Sequence, residues 1–405
     1  MGPTSLREAS SRRFLRWSSS FSCSATSSAV SPSAQRKASS PVSPIRTHQL
    51  DHPEWKAAWS LEGPTCAYRL AIDADDRVIH VDWGNRHADL DPSLGLSSPR
   101  PWRDERFERT EEYPPCGRMQ RHRPAIDVEL VDGDRSLDLR YVRAVTFGRD
   151  DGAHELTLVL QDTKRHVDVH LHYACFANSD VIERRVTLVS EGDGDVIVRD
   201  LASASVALPD YGTFEMHHLE GAWGSEAMRV VTPVTANLSI GSRAGVTGFD
   251  ANPAALFCPV ENPHEAMRPC FGLALAYSGN WVVRADRDPA GRTRIASGAS
   301  WDGQSRRLTR GERIASPVTF LAYSAGGAEG CSDVLRQHLT HHVLRRRPDV
   351  APRPVLYNSW YVHEFDVNED NQRDAATIAA ELGVDVFVFD DGWFVGRMDD
   401  TAGLG

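Results

Sequence analysis

Apolar and polar residues alternate along the chain from about residue 64 to residue 325, and no other feature limits the possible folds as strongly. Segments such as YRLAI, RVIHVDW, ELTLVLQ and HVDVHLHYACF carry this alternation, which is typical of strands in a sheet with one wet face. Helical periodicity is nearly absent over the same length. A β-domain of about 260 residues is large, but single domains reach this size. The pattern therefore predicts an extended antiparallel β-sandwich.

Two turn sequences divide this region into predicted hairpins. DADD, residues 73–76, separates YRLAI from RVIHVDW, and DGD, residues 132–134, separates AIDVELV from RSLDLRYV. Asp-Gly between two alternating segments is a strong hairpin signal. We therefore expect each pair of segments to form adjacent antiparallel strands.

The first 48 residues differ from the rest in composition. They are rich in serine and arginine, and Glu8 is their only acid. A segment of this kind lacks the apolar residues for a core, so we expect residues 1–48 to be disordered. Two interpretations stay open: an organelle transit peptide, which has this composition, or a leader without a targeting role. A secretory signal is disfavoured because no apolar central region is present.

Charge, hydropathy and cysteine spacing exclude several classes of protein. The formal net charge of -11 argues against a nucleic-acid partner, and no apolar run approaches the roughly 20 residues that span a bilayer. The cysteines are scattered, without CxxC spacing, which indicates reduced thiols in a cytoplasmic protein rather than a disulfide framework. The seven cysteines are Cys23, Cys66, Cys116, Cys175, Cys258, Cys270 and Cys331.

The periodicity becomes helical after the predicted sandwich. Residues 331–347, CSDVLRQHLTHHVLRRR, carry one apolar stripe at helical spacing, and Pro348 ends the segment. We interpret residues 331–353 as a linker helix between two domains. The stripe consists of Val334, Leu335, His338, Leu339, His342 and Val343.

The last 52 residues, 354–405, predict a strand, a helix and a second strand. PVLYNSW is a short apolar strand, and NEDNQRDAATIAAELG is a helix with Asn368 as its N-cap and Gly383 as its stop. VDVFVFDD is a second buried strand, parallel to the first. This βαβ unit is expected to open a (β/α)8 barrel, in which the carboxyl ends of the strands carry the site. The domains are therefore predicted as 1–48, 49–330, 331–353 and 354–405.

Trp360 lies at one such strand end, and Asp390 and Asp391 lie at the next. Four roles are open for the aspartates: turn or N-cap residues, metal ligands, an acid/base pair, or acceptors for sugar hydroxyls. Facing carboxylates are hard to build from adjacent residues, and no histidine lies nearby to complete a metal site. The pairs His217–His218 and His341–His342 also lack metal-binding spacing. We expect no metal and no cofactor.

Several motifs in this sequence resemble those of glycoside hydrolase family 36, the α-galactosidases. NSW, FDVNE, FDDGWF and the final RMDDTAGLG are similar to the opening of that family's barrel. EYPPCG, HHLEGAWGSE, LAYSGNW and LTRGERIASPVTFLAYS are similar to its sandwich, so the resemblance runs from about residue 66 to residue 405. It implies that Asp390 and Asp391 bind galactose hydroxyls and that Trp360 lines the pocket. It further implies retaining hydrolysis of terminal α-D-galactosides, a small carbohydrate as ligand, and a homo-oligomeric complete relative.

Other positions depart from the family. Its nucleophile, in a KWD motif, and its acid/base lie on later strands, so the catalytic residues are expected beyond Gly405. We therefore expect this chain to be a fragment that does not hydrolyse galactosides by itself. The alternative is a non-catalytic carbohydrate-binding or assembly module. Tyr361 replaces an acid, and Gln120 and His122 stand where the family often has Asp and Arg.

Overall fold

The computed structural model describes residues 43–48, 55–87, 110–117, 122–261, 268–344 and 353–403, which form mostly antiparallel strands. No helix within these ranges is long and apolar enough to cross a membrane. The first sheet has four antiparallel strands in chain order. They are β1 Ile45–His48, β2 Trp55–Glu62, β3 Cys66–Asp73 and β4 Val78–Asn85.

The hairpin predicted at DADD is confirmed, because β3 and β4 pair antiparallel across it. Asp73 closes the turn, since its carboxylate accepts hydrogen bonds from the backbone N–H groups of Asp75 and Arg77 at 2.9 and 2.8 Å. Asp76 adopts φ 61°, a left-handed conformation that aspartate tolerates. Turn chemistry and strand alternation therefore agree at this position.

Strand β1 corrects the predicted extent of the leader. Residues 45–48 were expected to be disordered, but Ile45 pairs with Leu61 and the strand continues the sheet as far as His48. Ser43 also contacts the sandwich, with its Oγ atom 3.2 Å from Nδ1 of His154. An edge strand can form through backbone hydrogen bonds to one neighbouring strand. The serine-rich sequence around β1 therefore did not indicate a strand. Residues 1–42 lie outside the described ranges.

The second sheet has ten strands. They are β6 Arg140–Gly148, β7 His154–Asp162, β8 Val167–Cys175, β9 Val181–Ser190, β12 Phe214–Ala222, β13 Ser225–Pro233, β15 Ala251–Pro259, β16 Cys270–Ala276, β20 Arg313–Ala315 and β21 Val318–Ser324. Their order is β13-β12-β15-β16-β21-β9-β8-β7-β6, and β20 also pairs with β9.

Two smaller sheets complete the sandwich. One contains β5 Ile126–Leu130, β10 Val196–Leu201 and β19 Arg306–Leu308, and the other contains β11 Ala204–Ala207, β14 Leu238–Ser242, β17 Trp281–Arg287 and β18 Thr293–Ala299. The hairpin predicted at DGD is wrong, because β5 pairs with β10 whereas β6 pairs with β7. The chain does turn at DGD, but the segment after the turn does not pair with β5. Leu137 and Leu139 of this segment are instead buried in the core before β6 begins.

Aromatic side chains join the sheets into one core. The Trp83 ring of β4 lies 5.1 Å from the Phe271 ring of β16, and the Tyr68 ring of β3 lies 6.2 Å from the Tyr173 ring of β8. Strand β8 alternates buried and partly exposed side chains over most of its length, as its sequence predicts. The first sheet therefore faces the ten-stranded sheet, and the predicted β-sandwich is confirmed.

A buried carboxylate lies between these sheets. Glu112, on the short segment Thr110–Gly117, accepts hydrogen bonds from the hydroxyls of Tyr68 and Tyr173, both at 2.8 Å. Nε of the buried Arg184 lies 3.8 Å away, and its guanidinium lies over the Tyr173 ring. Burial opposes ionisation, but His80, whose Nδ1 lies 3.3 Å from a carboxylate oxygen, and the charge of Arg184 outweigh it and lower the pKa of Glu112. A charged group is thus held inside the core by dedicated donors.

The predicted linker helix is present but begins earlier. Helix α1, Gly327–His338, continues as a π-helical turn over Leu339–Val343. The predicted stripe is partly buried, with Leu335 and His338 enclosed. His338 contacts Ser179 Oγ at 2.9 Å and Glu183 Oε1 at 3.3 Å, which fixes the helix on the outer face of the ten-stranded sheet. The domain boundary that this helix was expected to mark stays a prediction.

The predicted βαβ unit is confirmed, but its second strand is not buried as predicted, because Val386 is 36% exposed and the two residues after it are only partly buried. Strands β22 Leu356–Asn358 and β23 Val386–Val388 are parallel. Between them lie helices α2 Trp360–His363 and α3 Glu369–Glu381, and Asn368 caps α3 in a capping box with Asn371. Of the apolar stripe of α3, Ala379 is buried, but Ile378 and Leu382 are exposed because the two described strands cover only part of the helix. A large sandwich followed by the start of a barrel is therefore the fold of this chain.

Candidate functional site

The carboxyl ends of β22 and β23 are joined by direct contacts. The backbone N–H of Ser359 donates to the carbonyl of Val388 at 3.0 Å, and the N–H of Asp390 donates to Oγ of Ser359 at 3.1 Å. Ser359 is fully buried. Because parallel strands place their carboxyl ends at the same edge, residues that follow both strands meet here.

Asp390 has a structural role at the end of β23. It is the N-cap of a single 3₁₀ turn, Asp391–Trp393, and its Oδ1 accepts the N–H of Asp391 at 2.9 Å. Its Oδ2 accepts a hydrogen bond from Nδ2 of Asn358 at 2.6 Å. The turn interpretation of this aspartate is therefore correct for one oxygen, and Asn358 orients the other. Sequence reasoning missed Asn358, although it opens the NSW motif.

Asp391 is held by a different partner. Its Oδ2 accepts a hydrogen bond from Arg397 at 2.7 Å, while its side chain stays 26% exposed. The Arg397 side chain is only 9% exposed, and its guanidinium lies 5.3 Å from the centre of the Phe365 ring. Arg397 was also missed, and its place beside the acids of RMDDTAGLG is the only signal that the sequence offered. Asp391 therefore keeps solvent access while its charge is balanced.

Trp360 lies two residues after the end of β22 and opens α2, rather than ending the strand as the sequence predicted. Its N–H donates to Oδ1 of Asn358 at 2.8 Å, so one amide side chain contacts both Trp360 and Asp390. Its ring packs edge-on against Phe365, with 5.0 Å between ring centres. Phe365 thus lies between the tryptophan and Arg397. Trp360 is thus linked to Asp390 through Asn358, and to Asp391 through Phe365 and Arg397.

The backbone of Glu364 and Phe365 lies so close to Gly392 of the FDDGWF motif that this position requires glycine. A Cβ atom at Gly392 would lie 2.7 Å from the carbonyl oxygen of Glu364 and equally close to Cα of Phe365. Such contacts are far inside van der Waals distance, so only glycine fits. This approach holds the turn that carries Asp391 against the segment that carries Phe365.

The other candidate residues do not join this site. His122 lies in the sandwich, where its Nε2 is 3.2 Å from the carbonyl of Arg292 and burial lowers its pKa. His217 contacts Arg229, and His342 stacks on Phe176. Gln120 falls outside the described residues. Among those described, no group of three or more His, Cys, Asp or Glu side chains is placed to hold a metal ion.

The arrangement can bind a polyol more readily than it can perform acid/base chemistry. Ionised carboxylates accept hydrogen bonds from hydroxyl groups, and an aromatic ring covers the apolar face of a sugar. Two acids on one tight turn do not flank a bond from opposite sides, as a hydrolytic pair must. A large sandwich that leads into parallel β/α units, with such groups at the strand ends, indicates the class of glycoside hydrolases.

Comparison with known proteins identifies the family within this class. The model of the glycosyl hydrolase family 36 N-terminal domain matches residues 76–309, and the melibiase model matches residues 313–405. The chain belongs to glycosyl hydrolase family 36. The resemblance noted in the sequence is therefore confirmed.

The similarity to known proteins extends over most of this chain, including both the sandwich and the start of the barrel. A probable alpha-galactosidase C from Aspergillus terreus is 32% identical, over 86% of this chain and 49% of its own length. The bifunctional alpha-galactosidase/sucrose kinase AgaSK of Mediterraneibacter gnavus is 29% identical, over 86% of this chain and 40% of its own length. The crystal structure of the GH36 alpha-galactosidase AgaB from Geobacillus stearothermophilus matches with a TM-score of 0.74 and 26% identity, covering 85% of this chain and 50% of AgaB. The chain spans about half the length of the curated relatives it matches.

Proposed function

We propose that this chain is the sandwich and barrel-opening part of a retaining α-galactosidase, and that it supplies galactose-binding groups to that enzyme. The family membership supports the activity. The observation that carries the site assignment is the shared contact of Asn358 with the Asp390 carboxylate and the Trp360 backbone N–H at the ends of two parallel strands. This contact supports a site at the edge of the sheet where barrels bind their ligands.

Each residue has a proposed role. The free oxygen of Asp391 accepts one sugar hydroxyl, and Asp390 accepts a neighbouring hydroxyl through the lone pairs that Asn358 and the turn leave available. Trp360 covers the apolar face of the ring. Retaining hydrolysis needs two carboxyl groups about 5–5.5 Å apart across the scissile bond. Asp390 and Asp391 are therefore assigned to binding, and the nucleophile and proton donor to later parts of the complete enzyme.

The ligand class follows from the relatives. Variants of AgaA from Geobacillus stearothermophilus have been solved in complex with raffinose and with stachyose. By extension, we propose oligosaccharides with a terminal α-galactosyl residue as ligands of this site.

The edges of the large sheet support a homo-oligomeric complete protein. Strands β6 and β13 end the ten-stranded sheet, and each contains nine residues that are mostly exposed. Phe147 on β6 and Met228 on β13 are 46% and 57% exposed. Long apolar edge strands are usually covered by another chain or element.

Calorimetric titration with D-galactose tests the site, with D-glucose as the stereochemical control. We expect Asp391→Asn to weaken galactose binding by at least about tenfold, or about 1.4 kcal/mol. The matched control is Asp374→Asn on the exposed side of α3, which should leave binding unchanged. Equal binding by the wild type and Asp391→Asn would contradict the assignment.

An assay of the same samples on an aryl α-galactoside separates binding from chemistry. We expect no turnover by the 405-residue chain. Turnover that is lost in Asp390→Asn would make this acid part of the reaction rather than a binding residue. Galactose binding by the complete protein without hydrolysis would instead favour a non-catalytic carbohydrate-binding module.

A further inference from the structure

Two cysteines face each other on neighbouring strands of the ten-stranded sheet. Strands β15 and β16 pair antiparallel, with Phe257 opposite Phe271. The next pair in this register is Cys258 and Cys270, and their sulfur atoms lie 2.6 Å apart, with the Cys258 thiol donating to Cys270. Directly opposed residues on paired strands have the Cα separation that a disulfide requires. The backbone therefore already has the geometry for a cross-strand bond.

The two thiols differ in access to solvent. Cys270 is fully buried in a cluster with Phe320 and Leu335, beneath helix α1. Cys258 packs at the rim of this cluster and is partly exposed. A small oxidant can therefore reach Cys258 first, and the protected Cys270 is placed to resolve the product.

We propose that Cys258 and Cys270 form a reversible disulfide by reaction with a low-molecular-weight disulfide such as oxidised glutathione. The Cys258 thiolate attacks one glutathione sulfur and releases the first glutathione thiolate. The Cys270 sulfur then attacks Sγ of Cys258, forms the protein disulfide and expels the second. The two cysteines lose two electrons in total, which reduce the glutathione disulfide, and the two thiol protons end on the two glutathione molecules.

A third cysteine offers a competing partner, and packing disfavours it. Cys331, on α1, is fully buried, and its thiol contacts the carbonyl of Ala322 at 3.7 Å. It fills the space left by Gly272, where a Cβ atom would lie only 2.7 Å from its sulfur. Cys331 therefore closes the helix–sheet contact and is fully buried, so an oxidant reaches it less readily than the partly exposed Cys258. The proposed bond joins β15 to β16 and leaves α1 free of covalent attachment.

The chemistry predicts a slow reaction at neutral pH. The contact with Cys270 and then burial raise the pKa of Cys258, so little of the attacking thiolate is present. The rate of disulfide formation should therefore keep rising with pH through the mildly alkaline range. A rate that is independent of pH there would show that an already ionised thiol reacts.

Peptide mapping of the 405-residue chain after incubation with oxidised glutathione tests the proposal. Free thiols are blocked before digestion without reductant. We expect a linked pair of peptides carrying Cys258 and Cys270, which disappears after reduction and does not form in Cys258→Ser. Cys66 and Cys175 give the internal control, because both are buried, whereas the sulfur atoms of Cys258 and Cys270 lie in direct contact.

Other products would overturn the proposal. A Cys270–Cys331 link as the main product, or equal oxidation of the Cys66–Cys175 pair, would show that contact across the strands does not select the partner. Recovery of Cys258 and Cys270 as blocked thiols would show that the pair does not oxidise. The Cys331→Ser variant should still form the link, and Cys258→Ser changes only a partly exposed side chain, so the test does not depend on a disrupted core. None of these results depends on galactose binding.

Discussion

Replacing Glu112 by glutamine should destabilise the sandwich strongly, although the shape of the side chain is kept. The carboxylate accepts hydrogen bonds from Tyr68 and Tyr173 and is the acid nearest to the buried guanidinium of Arg184. Removing one partner of a buried ionic pair costs about 3–5 kcal/mol, because the other charge is left without compensation. By comparison, Tyr173→Phe removes one hydrogen bond to a charged group and should cost about 1.5–3 kcal/mol.

Urea unfolding followed by tryptophan fluorescence measures this cost, because Trp83 lies in the same core. The matched control is Glu129→Gln, which breaks a partly exposed pair with Arg199 and should cost less than about 1 kcal/mol. A loss of stability in Glu112→Gln no larger than in this control would refute the reasoning. It would mean that the carboxylate is already neutral in the folded protein.

The pH dependence gives a second test of the same carboxylate. The folded-state pKa of Glu112 lies below its ordinary value of 4.5, so its ionised form stabilises the fold above about pH 4.5. This contribution is lost as the pH falls through the lowered pKa. The stability difference between the wild type and Glu112→Gln should therefore be largest near neutral pH and shrink in acid. A constant difference would exclude ionisation as its cause.

Three further predictions concern the candidate site and the N-terminus. Arg397→Ala should weaken galactose binding about tenfold by releasing Asp391, with partial recovery in Arg397→Lys, as measured by calorimetry; unchanged binding would remove Arg397 from the site. Gly392→Ala should abolish binding and broaden the NMR signals of the site, whereas Gly403→Ala, where a Cβ atom meets nothing within 4 Å, should not. Deleting residues 1–42 should leave the melting temperature unchanged, but deleting residues 1–48 should lower it by several degrees, because β1 is removed; equal temperatures would mean that β1 adds nothing.

The sequence predicted local features well and non-local pairing poorly. Alternation located strands such as β8, and the Asn368 cap located the start of α3. Each of these signals is contained within a few consecutive residues. The partner of β5 is β10, about 70 residues later, and nothing in either strand specifies that pairing. The DGD turn was correctly located, but a turn sequence does not determine which strands pair.

The candidate site shows the same division between local and non-local information. The acids and the tryptophan stood out because they follow apolar strands and match a family motif. Asn358 became visible only when the strand ends were brought together, since it contacts a side chain 32 residues away. Arg397 lies only six residues from Asp391, but its contact depends on how the segment after β23 folds back. The exposed stripe of α3 and the early start of α1 likewise depend on which surfaces are available for packing.

The segment Thr110–Gly117 has a consequence for the rate at which the sandwich opens. Glu112 contacts residues 44 and 61 positions away, and the hydroxyl of Tyr113 donates to the carbonyl of Ala202, 89 positions away. Contacts of such range close large loops, so we expect them to form after the folding barrier has been crossed. Interactions that form late slow unfolding and leave the folding rate nearly unchanged. We therefore expect the contacts of this segment to lower the unfolding rate and so prolong the lifetime of the folded sandwich.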